Sequence, residues 1–165
     1  MIRFGTGGWR AIIADQFTKS NVQLLCQGLA CLMKDEQVVD AGLIIGYDRR
    51  FLSRESAEWA AETLAGNGIT CRIIDREAPT PLVMFTVKRF GTAYGLAITA
   101  SHNPAVYNGV KLFTAGGRDA DEQVTTRLEG YIDRLQPDQI KIMPLQEAER
   151  NGLVVRINPF NLYLD

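Results

Sequence analysis

Tyr94-Gly95-Leu96-Ala97-Ile98-Thr99 is an almost unbroken apolar run, and Ala100-Ser101-His102-Asn103-Pro104 brings it to a stop. A short run of this kind bounded by turn residues reads as a strand covered on both faces. Pro104 cannot donate to a ladder and biases the residue before it away from helix. Ser101 therefore falls in a loop where a buried strand ends, at a sheet edge. Only about nine residues later comes Val110-Lys111-Leu112-Phe113, too soon for a parallel crossover of a dozen or more residues. The two strands are predicted to pair antiparallel, which brings Lys111 close to Ser101.

Upstream, the pattern alternates between helix and strand. Thr18 to about Lys34 carries Val22, Leu25, Leu29, Leu32 and Met33 on one stripe, with Thr18 as N-cap. Gly28 inside that stripe implies close packing. Ala41 to Tyr47 reads as a strand, Ser53 to Asn67-Gly68 as a helix burying Ala57, Ala60, Ala61 and Leu64, and Ile69 to Ile74 as the next strand. Strand, helix and strand make one parallel unit. Thr80-Pro81 reads as a cap followed by proline at the first helical position, opening a helix to about Phe90.

The fold expected is therefore α/β, a three-layer α/β/α domain with a mixed, mostly parallel sheet of about four strands. Such sheets keep their sites at the carboxyl edge of the strands. Ile2-Arg3-Phe4 reads as a further short strand leading into Gly5-Thr6-Gly7-Gly8-Trp9-Arg10, whose glycines let backbone amides approach a ligand. That run lacks the Gly-Lys-Ser/Thr ending of a P-loop. Asp119-Ala120-Asp121 opens a last helix with Val124, Leu128, Tyr131, Ile132 and Leu135 on its face, its acids suiting the positive N-terminus; capping is preferred to a metal role for the two aspartates.

The 165 residues have the size of one ordinary domain, and 46% apolar content suffices for a core. The net charge of −1 gives no reason to expect nucleic acid or an anionic membrane as partner. Cys26, Cys31 and Cys71 have no metal-ligand spacing and read as packed, reduced thiols of a cytoplasmic protein. No stretch has the pattern of a signal core or the length of a membrane span.

A serine in a turn is most often a local hydrogen-bonder. Its neighbour His102, the single histidine of the chain, can carry a proton or donate to an anion. Thr99 to Pro104 resembles the phosphoserine loop of the α-D-phosphohexomutases, the phosphoglucomutase and phosphomannomutase family. The likeness extends to Tyr107-Asn108-Gly109-Val110-Lys111, to Gly5 through Arg10, to Gly46-Tyr47-Asp48-Arg49-Arg50 and to Ala78-Pro79-Thr80-Pro81, in the family's order and spacing. It covers residues 1–135, the first of the four domains such enzymes have. Residues 136–165 are then a linker and the truncated start of a second domain.

The resemblance implies that Ser101 carries a phosphoryl group, gives it to a hexose 1-phosphate and recovers it from a bisphosphate intermediate as hexose 6-phosphate forms. It implies glucose or mannose phosphates as substrates, Mg2+ bound through the phosphoserine and aspartates of a domain absent here, and the enzyme's remaining domains as partners. Arg10 would face the phosphate, and Arg10, His102 and Lys111 would steady the group in flight or assist proton movement. Asp48 and Arg50 match a family pattern, but an ion pair or helix-entry contact is the reading preferred for them. The triple-aspartate metal loop, sugar-reading loop and distal phosphate-binding loop are not found, so the chain alone is expected to be inactive as a mutase.

The chemistry is consistent with this. A phosphoserine carries about −1.5 to −2 charge and calls for cations and amide donors more than for a strong base. One cation about 4 Å away contributes roughly 4 kcal/mol of attraction at an effective dielectric near 20, before desolvation. Acyl chemistry would need a positioned base and an oxyanion hole, and the Gly-x-Ser-x-Gly elbow is absent. The alternative of another class is a non-catalytic module of the same fold that binds phosphosugar, phosphate or a protein; a serine hydrolase ranks behind both.

Overall fold

The structure, a computed structural model, describes residues 1–5 and 8–164. The chain enters the sheet at Trp9–Ile12 (β1) and then forms helix Lys19–Asp35 (α1), where the Thr18 hydroxyl accepts from the Asn21 amide at 3.2 Å. Next come Leu43–Tyr47 (β2), Ser53–Gly66 (α2), Cys71–Ile74 (β3), Thr80–Phe90 (α3) and Tyr94–Ile98 (β4). Tyr107–Thr114 (β5) and the two-residue Arg118–Asp119 (β6) follow, then Glu122–Arg134 (α4), Leu145–Arg150 (α5), Val154–Ile157 (β7) and Phe160–Leu164 (α6).

These strands make one seven-stranded sheet in the order β1-β5-β4-β2-β3-β7, with β6 pairing β5. The pairs β2 with β4, β2 with β3 and β3 with β7 are parallel; β5 runs antiparallel to β4, β1 and β6. The α/β class and the mixed sheet agree with the sequence. The count of about four strands does not, because β1, β6 and β7 are four residues or fewer and lie at or near the sheet's margins, where too few residues alternate to leave a periodic signal. Ile2-Arg3-Phe4 is not a strand. Phe4 donates its amide to Glu129 at 2.7 Å and Arg3 pairs with Asp133 at 2.7 Å, so α4 holds this segment through side chains.

Of residues 136–165, expected as linker and second-domain start, the part up to Ile157 packs on this domain: the Lys141 amide donates to Gln27 of α1, the Met143 amide to the Glu62 carbonyl of α2, and β7 extends the sheet beyond β3. Ala148 of α5 is fully buried.

Two cores sandwich the sheet. One face is covered by α1, α2 and α4, with Val22, Leu25, Leu29, Leu64, Leu112 and Leu128 inside. The other is covered by α3, with Ile44, Val83, Val87, Ala97 and Phe113 inside. Gly28 fulfils its packing role, since a Cβ there would meet Ile132 Cγ1 at 2.5 Å. Helix α3 begins at Thr80 with Pro79 as its cap and Pro81 in the first turn, one residue earlier than the sequence reading. Asp121 caps α4 by accepting from the Val124 amide at 3.0 Å, while Asp119 belongs to β6.

Candidate active site

Strand β4 delivers Thr99 to the sheet edge, where its amide still donates to the Gly109 carbonyl at 3.0 Å. The chain then turns. Ser101 takes a left-handed φ of +55°, a conformation that costs a non-glycine residue of order 1–3 kcal/mol and needs support from its surroundings. Some of that support is local: the Ser101 amide donates to Thr99 Oγ1 at 3.0 Å, and the Asn103 amide to the Ala100 carbonyl at 3.0 Å. Ser101 and His102 are exposed on this loop.

The register of three strands places Arg10 relative to it. Arg10 on β1 pairs with Gly109 on β5, and Gly109 in turn receives the Thr99 amide. Arg10 and Thr99 thus flank a residue without a side chain, in one row across the sheet, two residues before the serine. Gly109 is required there, because a Cβ would meet the Trp9 carbonyl oxygen at 2.1 Å. Gly8, with φ of +102°, approaches the Val110 carbonyl closely too, at 2.6 Å for a Cβ. Thr6 and Gly7 of the same motif lie outside the described residues.

Lys111 pairs with Ala97, so it sits two residues along β5 from the Arg10 row, about 7 Å away on the same face of the sheet. That is the face where Ala97 and Phe113 pack under α3. The ammonium of Lys111 lies 3.2 Å from Asp119 Oδ1. With Phe4, Gly5 and Gly8 it lines a small cleft at the sheet margin.

Arg50 makes the contacts that the sequence left undivided. Asp48 Oδ1 accepts from the Arg50 amide at 3.0 Å and from Ser53 Oγ, in the first turn of α2, at 2.7 Å; its Oδ2 lies 3.6 Å from Arg50 Nε. Both an ion pair and a helix-entry contact are therefore present. Beyond them, Arg50 Nη1 donates to the carbonyls of Pro104 at 2.8 Å and Tyr107 at 3.1 Å. Nη2 donates to those of Ser101 at 2.8 Å and Asn103 at 2.6 Å. Asn108, fully buried, donates to Ser53 Oγ at 2.9 Å and to the Phe51 carbonyl at 3.1 Å. Sequence reasoning missed this tie between Asp48-Arg49-Arg50 and the serine loop, since 51 residues separate Arg50 from Ser101. The exposed Arg49 lines a cleft of about 480 Å³ with Asp48, Arg50, Asn103 and Ala105 on the same side of the loop.

Residues 1–139 match the family model described as phosphoglucomutase/phosphomannomutase, alpha/beta/alpha domain I. The chain belongs to this family. As a phosphoglucomutase/phosphomannomutase domain I, it is 32% identical over 99% of its length to a phosphoglucomutase of Staphylococcus haemolyticus, of which it covers 31%. A probable phosphoribomutase of Schizosaccharomyces pombe is 40% identical over 70% of the chain, which covers 21% of that protein. Among solved structures, a protein of Thermus thermophilus assigned as a phosphomannomutase superposes with a TM-score of 0.84 at 29% identity, covering 98% of this chain and 34% of that one. The chain thus spans about a fifth to a third of the length of these relatives. Among its described residues no helix is long and apolar enough to cross a membrane, and no three His, Cys, Asp or Glu side chains gather where they could hold a metal ion.

Proposed function

We propose that this chain is the phosphoserine-bearing domain of a phosphohexomutase, with Ser101 as the phosphoryl carrier. The observation that supports the reading is the row Arg10-Gly109-Thr99, which aligns Arg10 by strand register with the end of the strand that leads into the loop of an exposed, strained serine. Lys111 adds a second cation on the same face, and His102 follows the serine directly. A dianion on Ser101 would be met by these groups and by loop amides, as phosphoryl transfer requires. Arg10 and Lys111 would hold the phosphoryl oxygens; His102, exposed next to the hydroxyl, would carry the proton.

The substrates proposed are hexose phosphates, glucose or mannose phosphates foremost, converted between the 1- and 6-phosphates through a bisphosphate. The Ser101 hydroxyl oxygen would attack phosphorus of the bisphosphate as the sugar oxygen leaves, and the reverse step returns the group. Mg2+ would take a phosphate oxygen on Ser101 as one ligand, a hard donor that suits it. Its carboxylate ligands would come from outside this chain, and its charge would offset that of the phosphate. Residues 158–164 are where the polypeptide would pass to a second domain, and turnover would need such further domains. The free cysteines, two of them buried, support a cytoplasmic setting.

The test is intact mass and peptide mapping of the chain after incubation with glucose 1,6-bisphosphate and Mg2+. One phosphoryl group on the peptide holding Ser101, lost in Ser101→Ala, is expected. Binding of the bisphosphate without covalent phosphate would instead identify a non-catalytic module. Steady mutase turnover by residues 1–165 alone would contradict the division of labour proposed.

A further inference from the structure

The planar guanidinium of an arginine carries five N–H donors in a fixed fork. In Arg50 the four on Nη1 and Nη2 are matched by four backbone carbonyls of one loop, those of Ser101, Asn103, Pro104 and Tyr107, and Nε faces Asp48. The side chain is only 16% exposed. An arginine so occupied has no donor left for a phosphate. Its charge is balanced by Asp48, and Asp48 is in turn fixed by Ser53 Oγ, which accepts from the buried Asn108 amide. Asn108 also receives the Gly109 amide on its Oδ1 at 2.8 Å. The chain of contacts runs from the end of β2, through the first turn of α2, to the start of β5, and closes around the loop that bears the serine.

Four carbonyls pointing at one centre is an arrangement the loop would not adopt alone, because their dipoles repel until a cation sits among them. One of them belongs to Ser101, whose φ of +55° is the unfavourable conformation in the loop. We infer that Arg50 is a positioning residue, a half-buried cation around which the Ser101 loop is wound and which holds the hydroxyl in register with Arg10 for phosphoryl transfer. It does not bind the phosphate itself. Lysine cannot replace it, since three donors radiating from one nitrogen cannot meet four carbonyls and a carboxylate in a plane.

The inference rests on the carrier reading for its chemical consequence and on the loop contacts for the clamp, so its test uses two readouts on the 165-residue chain. The first is hydrogen exchange of the Ser101, Asn103 and Tyr107 amides; the second is phosphate uptake by Ser101 from glucose 1,6-bisphosphate. In Arg50→Lys and Arg50→Ala those amides are expected to exchange at least about tenfold faster while β4 amides keep their protection, as local opening without global unfolding requires. Phosphate uptake is expected to slow at least about tenfold in both variants, and methylguanidinium chloride to restore both readouts in Arg50→Ala but not in Arg50→Lys. Unchanged loop exchange in the lysine variant overturns the clamp. Faster loop exchange with phosphate uptake at the wild-type rate overturns the positioning role. If β4 loses protection equally in both variants, Arg50 is a general stability element and the inference fails. A wild-type chain that takes up no phosphate sinks the carrier reading instead, and loop exchange and its rescue by methylguanidinium then decide the clamp alone.

Discussion

The ammonium of Lys111 lies 3.2 Å from Asp119 Oδ1, and this pair ties the middle of β5 to the two-residue strand β6. Asp119 is 62% exposed in its side chain and Lys111 23%, so the pair sits in water at one end and contributes about 0–1 kcal/mol to stability. A phosphate arriving on this face would compete with the aspartate for the same charge.

Asp119→Asn is accordingly expected to change the urea unfolding free energy by less than about 1 kcal/mol. It should also leave Lys111 free for an anion and raise phosphate uptake by Ser101. Lys111→Met should lower that uptake with similar stability. Urea melts and intact mass on the same samples check both, and a fall in uptake on Asp119→Asn would show that the carboxylate positions Lys111.

Gly109→Ala should destabilise the domain by about 1–3 kcal/mol, as overpacking in a closed site does. Its Cβ would meet the Trp9 carbonyl oxygen at 2.1 Å, and backbone must move to admit it. Gly130→Ala is the counterpart. Nothing lies within 4 Å of that added carbon, the residue is inside α4, and a gain of about 0.5–1 kcal/mol is expected. Denaturant unfolding of the two variants should move in opposite directions.

Asn108→Ala removes the donor to Ser53 Oγ and the Phe51 carbonyl and the acceptor of the Gly109 amide. Each buried group left without a partner costs about 1–3 kcal/mol, so a loss of at least about 2 kcal/mol in urea unfolding is expected. A loss below about 1 kcal/mol would mean that the first turn of α2 stands without this network.

Burial pushes the Cys26 thiol up from 9.0 to about 12, and the Cys71 thiol also rises well above its ordinary value, burial first and the neighbouring Cys26 second. The folded state therefore keeps protons that the unfolded state releases above about pH 9. This contribution is full below that pH and is lost as pH climbs toward the folded-state value. Unfolding free energy should fall by on the order of 2 kcal/mol for each of the two thiols between pH 8 and about 10.5. Iodoacetamide at pH 8 should label the partly exposed Cys31 and spare the other two until the chain unfolds.

The helices with strong stripes were legible because their period records burial on one side. Thr18, Val22, Leu25 and Leu29 mark the cap and the inward face of α1 wherever α1 is docked. The antiparallel return of β5 was legible too, since a short connection leaves no other pairing. Strand β1 was not. Trp9-Arg10-Ala11-Ile12 follows a glycine run that reads as loop, and it is a strand only because β5 offers an open edge for it.

Local order in the chain therefore determined where strands and helices form, where the turn holding Ser101 falls, and which family motifs are present, because capping, periodicity and proline act within a few residues. Which distant residues become neighbours around the sheet end was decided by tertiary structure. Arg10 meets the serine row through strand register with Gly109, Arg50 reaches four carbonyls across 51 to 57 residues of sequence, and Lys111 finds Asp119 across a turn. Charge and hydrogen-bond complementarity depend on distance in space, and until the sheet is assembled no sequence pattern fixes that distance.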